Sequence, residues 1–272
     1  MVVAKIEKGL LPLLENYANR ASQIDLQDIF QRFTFDCFCR LFLDHDPGSL
    51  SLELPYIRAQ YAFSDGEKAI LRRHWLPETC WKLQKWFGIG KEGKLTEAWD
   101  EVDQFIYPCI EKKLEKLTAS STNKPDGIVQ LEISILNSFI QAYKSTSLSS
   151  KSYPKITKTF IRDAFLSLLA AGKDTISTSL SWFFFLLAKN PLAKEKILHE
   201  IQTKISCWKH DQKEEDHHCH HPWNLVIFSL RDAEHLVYLH AALCETRRLH
   251  SPVALNHKAP RKSRCSSQRC IY

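Results

Sequence analysis

Leu166–Ala188 reads LSLLAAGKDTISTSLSWFFFLLA, and this stretch decides the fold. It is strongly apolar, yet Lys173 and Asp174 stand in its middle. Leu168, Ala171, Gly172, Thr175, Ser179 and Trp182 recur at three- and four-residue spacing, which is one face of a helix. Most of that face is small or hydroxylated. Leu169, Leu180 and Phe183 to Phe185 make the other faces apolar too, the pattern of a helix running through a large core. The small residues form a notch on which something bulky can lie: a ligand, a cofactor or another helix. Gly172 costs about 1 kcal/mol relative to Ala in a helix interior, so its position needs a reason.

Working outward, the helix is read from Thr157 to Lys189 and is ended by Asn190-Pro191; Pro191 then opens a helix to about Ile205. Upstream, residues 95–118 read as a helix with Trp99, Val102, Phe105, Ile106 and Ile110 inward. A polar loop over 118–127, a helix over 128–143 and a Ser-rich linker over 143–154 follow. Residues 55–90 read as one helix and then a second, with Trp75, Trp81 and Trp86 as core anchors. Gly88, Gly90 and Gly93 read as the exit loop. With no strand before them they are not a phosphate-binding loop. Asp25 caps a helix carrying Leu26, Ile29, Phe30, Phe33, Phe38 and Leu41, which stops before Asp46-Pro47-Gly48. Residues 1–20 read as a short amphipathic helix with Pro12 in its middle.

Downstream, residues 207–221 read CWKHDQKEEDHHCHH. Cys207, His210, His217, His218, Cys219, His220 and His221 offer zinc or copper ligands. They crowd into one run and match no standard finger spacing, which favours a solvated loop. Leu236–His250 reads as a helix stopped before Pro252. On it Glu245 and Arg248, three apart, share a face and can pair. Such pairs are usually surface features worth about 0.5 kcal/mol.

The fold class is mainly α: only 8 Gly and 11 Pro in 272 residues argue against a turn-rich β architecture. Nine scattered cysteines, an odd number, suit reduced thiols better than a disulfide framework. Four of the six net positive charges come from Arg261, Lys262, Arg264 and Arg269, so the charge gives no argument for a nucleic-acid partner. No stretch reaches the ~20 apolar residues of a membrane span, and the N-terminus shows no clear signal-peptide cleavage site. The expectation is a chain without an anchor.

Two segments together resemble cytochrome P-450, the haem-thiolate monooxygenases. Ala171-Gly172-Lys173-Asp174-Thr175 resembles the oxygen-binding motif of that family's long central I helix. Glu245-Thr-Arg-Arg248, about 70 residues on, resembles the Glu-x-x-Arg motif of its K helix. The flanks, DLQDIFQRFTFD at 25–36, Asp46-Pro-Gly48, WKLQKW at 81–86 and NHKAP at 256–260, resemble the plant branch that hydroxylates long-chain fatty acids and alkanes.

The resemblance implies that Ala171 and Gly172 lie over the distal haem face and leave room for dioxygen. It implies that Asp174 and Thr175 relay protons so that the O–O bond breaks heterolytically. Glu245 and Arg248 would form a buried structural pair whose third partner lies further downstream. Lys173 stands in a variable position, and Ile176 replaces a hydroxyl residue common in the branch. The implied cofactor is haem iron, the implied partner an NADPH-cytochrome reductase, and the implied substrate a long aliphatic chain. The implied location is the cytosolic face of the endoplasmic reticulum membrane.

The family's Phe-x-x-Gly…Cys-x-Gly ligand loop does not occur in the sequence, and Cys265 and Cys270 have neither its Phe nor its Gly context. The expected organisation is therefore a partial domain over 1–260, the helices before the I helix through the K helix, without the haem-ligand Cys loop and most of the β-sheet. Residues 261–272 are expected to be an unrelated, disordered basic tail from a truncated or mis-spliced reading frame. Such a chain would be poorly soluble and would hold no haem. The alternatives are a non-enzymatic helical or interaction protein, and metal binding through 207–221.

Overall fold

The computed structural model describes residues 2–121, 158–211 and 234–253. Among them there is no strand, as the mainly α reading expects. The helices are α1 (Val2–Lys5), α2 (Leu11–Asn19), α3 (Leu26–Leu43), α4 (Arg58–Arg72), α5 (Glu78–Phe87) and α6 (Gly90–Ser121), followed by α7 (Lys158–Lys189), α8 (Pro191–Asp211) and α9 (Val237–Leu249).

The first helix is continuous with the second through a π turn, Ile6–Leu10, that ends just before Pro12. Proline has no N–H and its ring crowds the carbonyl four residues back, so the helix widens there instead of breaking. Helix α3 starts as its sequence demands: Asp25 Oδ1 accepts from the backbone N–H of Gln27 at 2.9 Å and of Asp28 at 3.3 Å. It ends on Asp44, at φ 55°, a left-handed cap that a short polar side chain tolerates.

Helices α3 and α7 form the central pair. Phe42 meets Phe165 at 5.3 Å between ring centroids and Phe30 stacks on Phe184 at 5.5 Å, which fixes them antiparallel. Helices α4 and α6 form a second antiparallel pair, tied by Arg73–Glu92 at one end and Arg58–Glu101 at the other. Phe35, Phe42, Phe63, Ile106, Ile110, Ile161, Phe165 and Leu169 close one core between these four helices. A smaller cluster of Leu13, Ile29, Phe33 and Leu50 seats the N-terminal helices on the other face of α3.

Polar side chains of α3 hold the loop that follows it. Arg32 donates to Asp28, to the carbonyls of Ser49 and Pro55 and to the Tyr61 hydroxyl. The long connection to α4 therefore has these buried carbonyls satisfied.

Four expectations are corrected. Trp75 and Trp86 are not core anchors: Trp75, in the turn before α5, is 72% exposed, and Trp86 is 78% exposed on α5, a helix with no buried residue. Trp81 lies under the Arg73 guanidinium, 4.8 Å from its ring centroid, rather than in the core. Gly93 is not in a loop but in the first turn of α6, where a Cβ would stand 2.2 Å from the Gly88 carbonyl oxygen. Helix α8 continues past Ile205 to Asp211 and takes in the first residues of the His-rich segment. The remainder of that segment, the helix read over 128–143, the Ser-rich linker and the basic tail lie outside the described residues. No helix of the described residues is long and apolar enough to cross a membrane.

Candidate functional site

Residues Leu168 to Trp182 of α7 carry the candidate site, and the helix divides them between two sides. One side is buried against α3. There Gly172 lies under the Phe38 ring: a Cβ at this position would stand 1.8 Å from Phe38 Cζ and 2.4–2.5 Å from both Cε atoms. Of the three occupants the notch could take, the one seen at Gly172 is another helix. The glycine is needed for the close approach of α3, which offsets its helix-propensity cost. The side flanking this contact is open: Leu168, Ala171 and Ile176 are exposed there and Thr175 is half-buried. So α7 is not enclosed all round, and Phe184 and Phe185 also keep exposed surface. Beyond Thr175 the open side closes again: Trp182 stacks on the His250 ring, 3.7 Å between centroids.

Thr175 Oγ1 donates to the Ala171 carbonyl at 2.7 Å, and Ser179 Oγ repeats this to the Thr175 carbonyl at 2.7 Å. A mid-helix hydroxyl bonded back to the preceding turn has a fixed rotamer and presents its lone pairs outward. Ala171 and Thr175 thus sit together on the open side, next to Gly172, which Phe38 covers.

Asp174 turns toward α4, where it meets two groups that the sequence did not single out. Lys173, read as a variable position, is fully buried. Its Nζ donates to Asp174 Oδ1 at 2.7 Å and to Ser64 Oγ at 2.8 Å, and lies 5.7 Å from the Phe63 ring centroid. Glu67, also on α4, adjoins Asp174 closely enough for each carboxyl to act on the other. Burial works against ionised Asp174. The Glu67 hydrogen bond and the Lys173 ammonium prevail and hold its carboxyl below the ordinary range. The available signal was Lys173 itself, a cation inside an apolar stretch, which requires a buried partner.

Glu245 and Arg248 pair as their spacing predicts, with Nε–Oε2 2.7 Å and Nη2–Oε1 2.6 Å. Both side chains are exposed, at 54% and 67%. The expectation of a buried pair is corrected for this span: among the described residues nothing covers it, so no buried charge is left half-paired. Arg248→Lys is accordingly expected to leave the urea midpoint of the chain unchanged. A clear drop in that midpoint would show that the pair is buried in solution.

Among the described residues no group of three or more His, Cys, Asp or Glu side chains could hold a metal ion. The thiols there are poor ligands. Burial pushes Cys37 up to about 11 and Cys39 well above the ordinary thiol value, and it raises Cys109 as well. Cys80 and Cys244 stand exposed on α5 and α9.

A long helix with an open, small and hydroxylated side, a charged, partly buried cluster beside it, and a Glu-x-x-Arg helix packed across its end make up the core of the site. The chain belongs to the cytochrome P450 family, whose model matches residues 2–265. It is 36% identical to alkane hydroxylase MAH1 of Arabidopsis thaliana over 95% of this chain and 46% of that protein. It is 34% identical to cytochrome P450 86B1 of the same plant, over 93% of the chain and 42% of that protein. It is 30% identical to noroxomaritidine synthase of Narcissus aff. pseudonarcissus MK-2014, over 95% and 46%. The chain spans less than half the length of these relatives.

Proposed function

We propose that this span supplies the oxygen-activation wall and substrate-side helices of a monooxygenase that hydroxylates long aliphatic chains, with electrons from an NADPH-dependent reductase. The observation that carries the reading is the pairing, on α7, of the open Ala171–Thr175 side with the Lys173–Asp174 ion pair beside it. The printed name of the alkane hydroxylase relative supports the aliphatic substrate class.

The residues fit one side of the haem and not the other. Ala171 is small and exposed, and its carbonyl is already taken by Thr175, so a flat apolar group can approach this side without stranding a polar atom. The sulfur ligand is a different matter: no described thiol stands in a loop facing α7, and the burial that raises Cys37 and Cys39 keeps them protonated. Haem, when bound, supplies the activation of dioxygen, with electronic push from its thiolate. This chain's contribution is to hold protons and exclude water. Thr175 offers a hydroxyl with a fixed direction, and Asp174, one residue back, is a carboxylate through which a proton can be relayed toward it. We infer that the thiolate side comes from sequence other than these 272 residues, and that the chain alone is inactive.

Two measurements test this. Haem added to the purified 272-residue chain should give no thiolate-type carbon monoxide band, and such a band would overturn the inference about the thiolate side. Joined to the thiolate half of an alkane-hydroxylating relative, the span should support hydroxylation of a long alkane. Thr175→Ala should then lower product formation by about 10²-fold, the lower end of positioned acid–base effects. Unchanged product yield in that variant would remove Thr175 from the proton path.

Membrane attachment is part of the same reading. Trp86, Phe87 and Ile89 are exposed beside Lys85 and Lys91 at the C-terminal end of α5. Aromatic side chains with flanking lysines suit a lipid headgroup boundary. Phosphatidylserine-containing vesicles should shift the tryptophan emission of the chain to the blue, and Trp86→Ser with Lys85→Glu should weaken that response. Equal response in the double variant would argue against this end of α5 as the contact.

A further inference from the structure

Glu67 is the member of the buried cluster that the family motif does not account for. It lies on α4, one turn beyond Ser64, and faces Asp174 across the α4–α7 contact. Its Oε2 is sealed from solvent and has no hydrogen-bond partner. The two carboxyl groups adjoin each other, and two adjoining carboxylates cannot both stay ionised in such a place. Lys173 decides which one keeps the charge. Its ammonium sits 2.7 Å from Asp174 Oδ1, and its other bond goes to Ser64. A bare buried oxygen is also far less costly on a carboxylic acid than on a carboxylate.

We propose that Glu67, as a neutral carboxylic acid, donates a hydrogen bond to Asp174 and thereby fixes that acid beside Thr175 on α7. It is a positioning residue: it acts through Asp174 and does not reach the open side. The α4–α7 contact then contains one proton. Ser64, Glu67, Lys173 and Asp174 form a partly buried set around the fully buried Lys173, in which the ammonium neutralises one carboxylate and the proton neutralises the other. The groups acting on Glu67 are Asp174 and Lys173 from α7 and Lys68 from its own helix; α6, on another side of α4, meets it with Leu95 against Gly66.

The pH dependence follows. Burial first, then the hydrogen bond to Asp174 and its charge, push the Glu67 carboxyl up to about 9. The folded chain therefore holds a proton that the unfolded chain releases above about 4.5. Stability contributed by Glu67 is full below that value and is lost as pH rises toward about 9. Asp174 is shifted the other way, so its own contribution is lost only as pH falls below the ordinary carboxylate range.

The test uses the full 272-residue chain without haem, so its outcome is separate from that of the monooxygenase reading; only the link from Asp174 to proton delivery rests on that reading. Infrared spectra should show the carbonyl stretch of a buried carboxylic acid at pH 7, disappearing with a midpoint near pH 9. Glu67→Gln should abolish the band and the fall in urea midpoint between about pH 5 and pH 9. Asp174→Asn should abolish the band at pH 7 as well, since the introduced amide donates to Glu67 and frees Lys173 to pair with it. No band at pH 7 in the unsubstituted chain, or a band that survives in either variant, overturns the proposal.

Discussion

Asp36→Ala is expected to destabilise the chain by about 3–5 kcal/mol, the range for removing one partner of a buried, hydrogen-bonded charge. Asp36 is fully buried on α3. Its Oδ1 accepts from the Ser49 backbone N–H at 3.1 Å and from Ser49 Oγ at 2.6 Å, and its Oδ2 accepts from the Leu50 N–H at 3.1 Å. Lys5 Nζ stands 2.6 Å from the same Oδ2. Alanine would strand two backbone N–H groups in a closed site, each costing about 1–3 kcal/mol. It would also release the loop that carries Leu50 into the smaller core. Lys5 would lose less, because Asp46 remains 2.8 Å away to receive it. Chemical denaturation followed by circular dichroism reads the loss. A change under about 1 kcal/mol would mean that the Ser49–Leu50 loop is not held by this carboxylate in solution.

Gly172→Val is expected to cost about 2–3 kcal/mol through overpacking, and the cost should largely vanish in a Phe38→Ala background. Valine recovers only a few tenths of a kcal/mol of helix propensity relative to glycine, so sterics decide the sign. The Phe38 ring, with three atoms within 2.5 Å of the added Cβ, must leave its place. Phe38 is packed against the main core cluster, so its displacement disturbs the α3–α7 contact itself. Phe38→Ala alone should be destabilising as a cavity, by about 3 kcal/mol. The two substitutions together should be less costly than the sum of the singles, because the new side chain partly refills the space. Strict additivity would show that Phe38 does not lie on Gly172.

Both effects sit on α3, and they show how the sequence and the structure divide the information. The helix α3 itself was legible: Asp25 announces its cap and the apolar spacing gives its inward face. The break at Asn190-Pro191 and the pairing of Glu245 with Arg248 were legible for the same reason, since both are settled by neighbours within a turn or two. The tryptophans of the α5 region were misread because size and hydrophobicity say nothing about whether a partner helix reaches them. Trp75 and Trp86 stay exposed, one in the turn before α5 and one on a helix with no buried residue.

The candidate site divides along the same line. Sequence alone determined a mainly α chain and its central helix, and through the resemblance it named Ala171, Asp174 and Thr175 as candidates. Local spacing and the chemistry of each side chain are sufficient for the helix. Only the tertiary structure decided which way each residue turns. It put Gly172 under Phe38, left Ala171 and Thr175 open, and closed Lys173 and Asp174 onto Ser64 and Glu67. Those partners lie more than one hundred positions away in sequence. Burial and the sharing of a proton belong to the surroundings of a group, and the surroundings are set only when the helices pack.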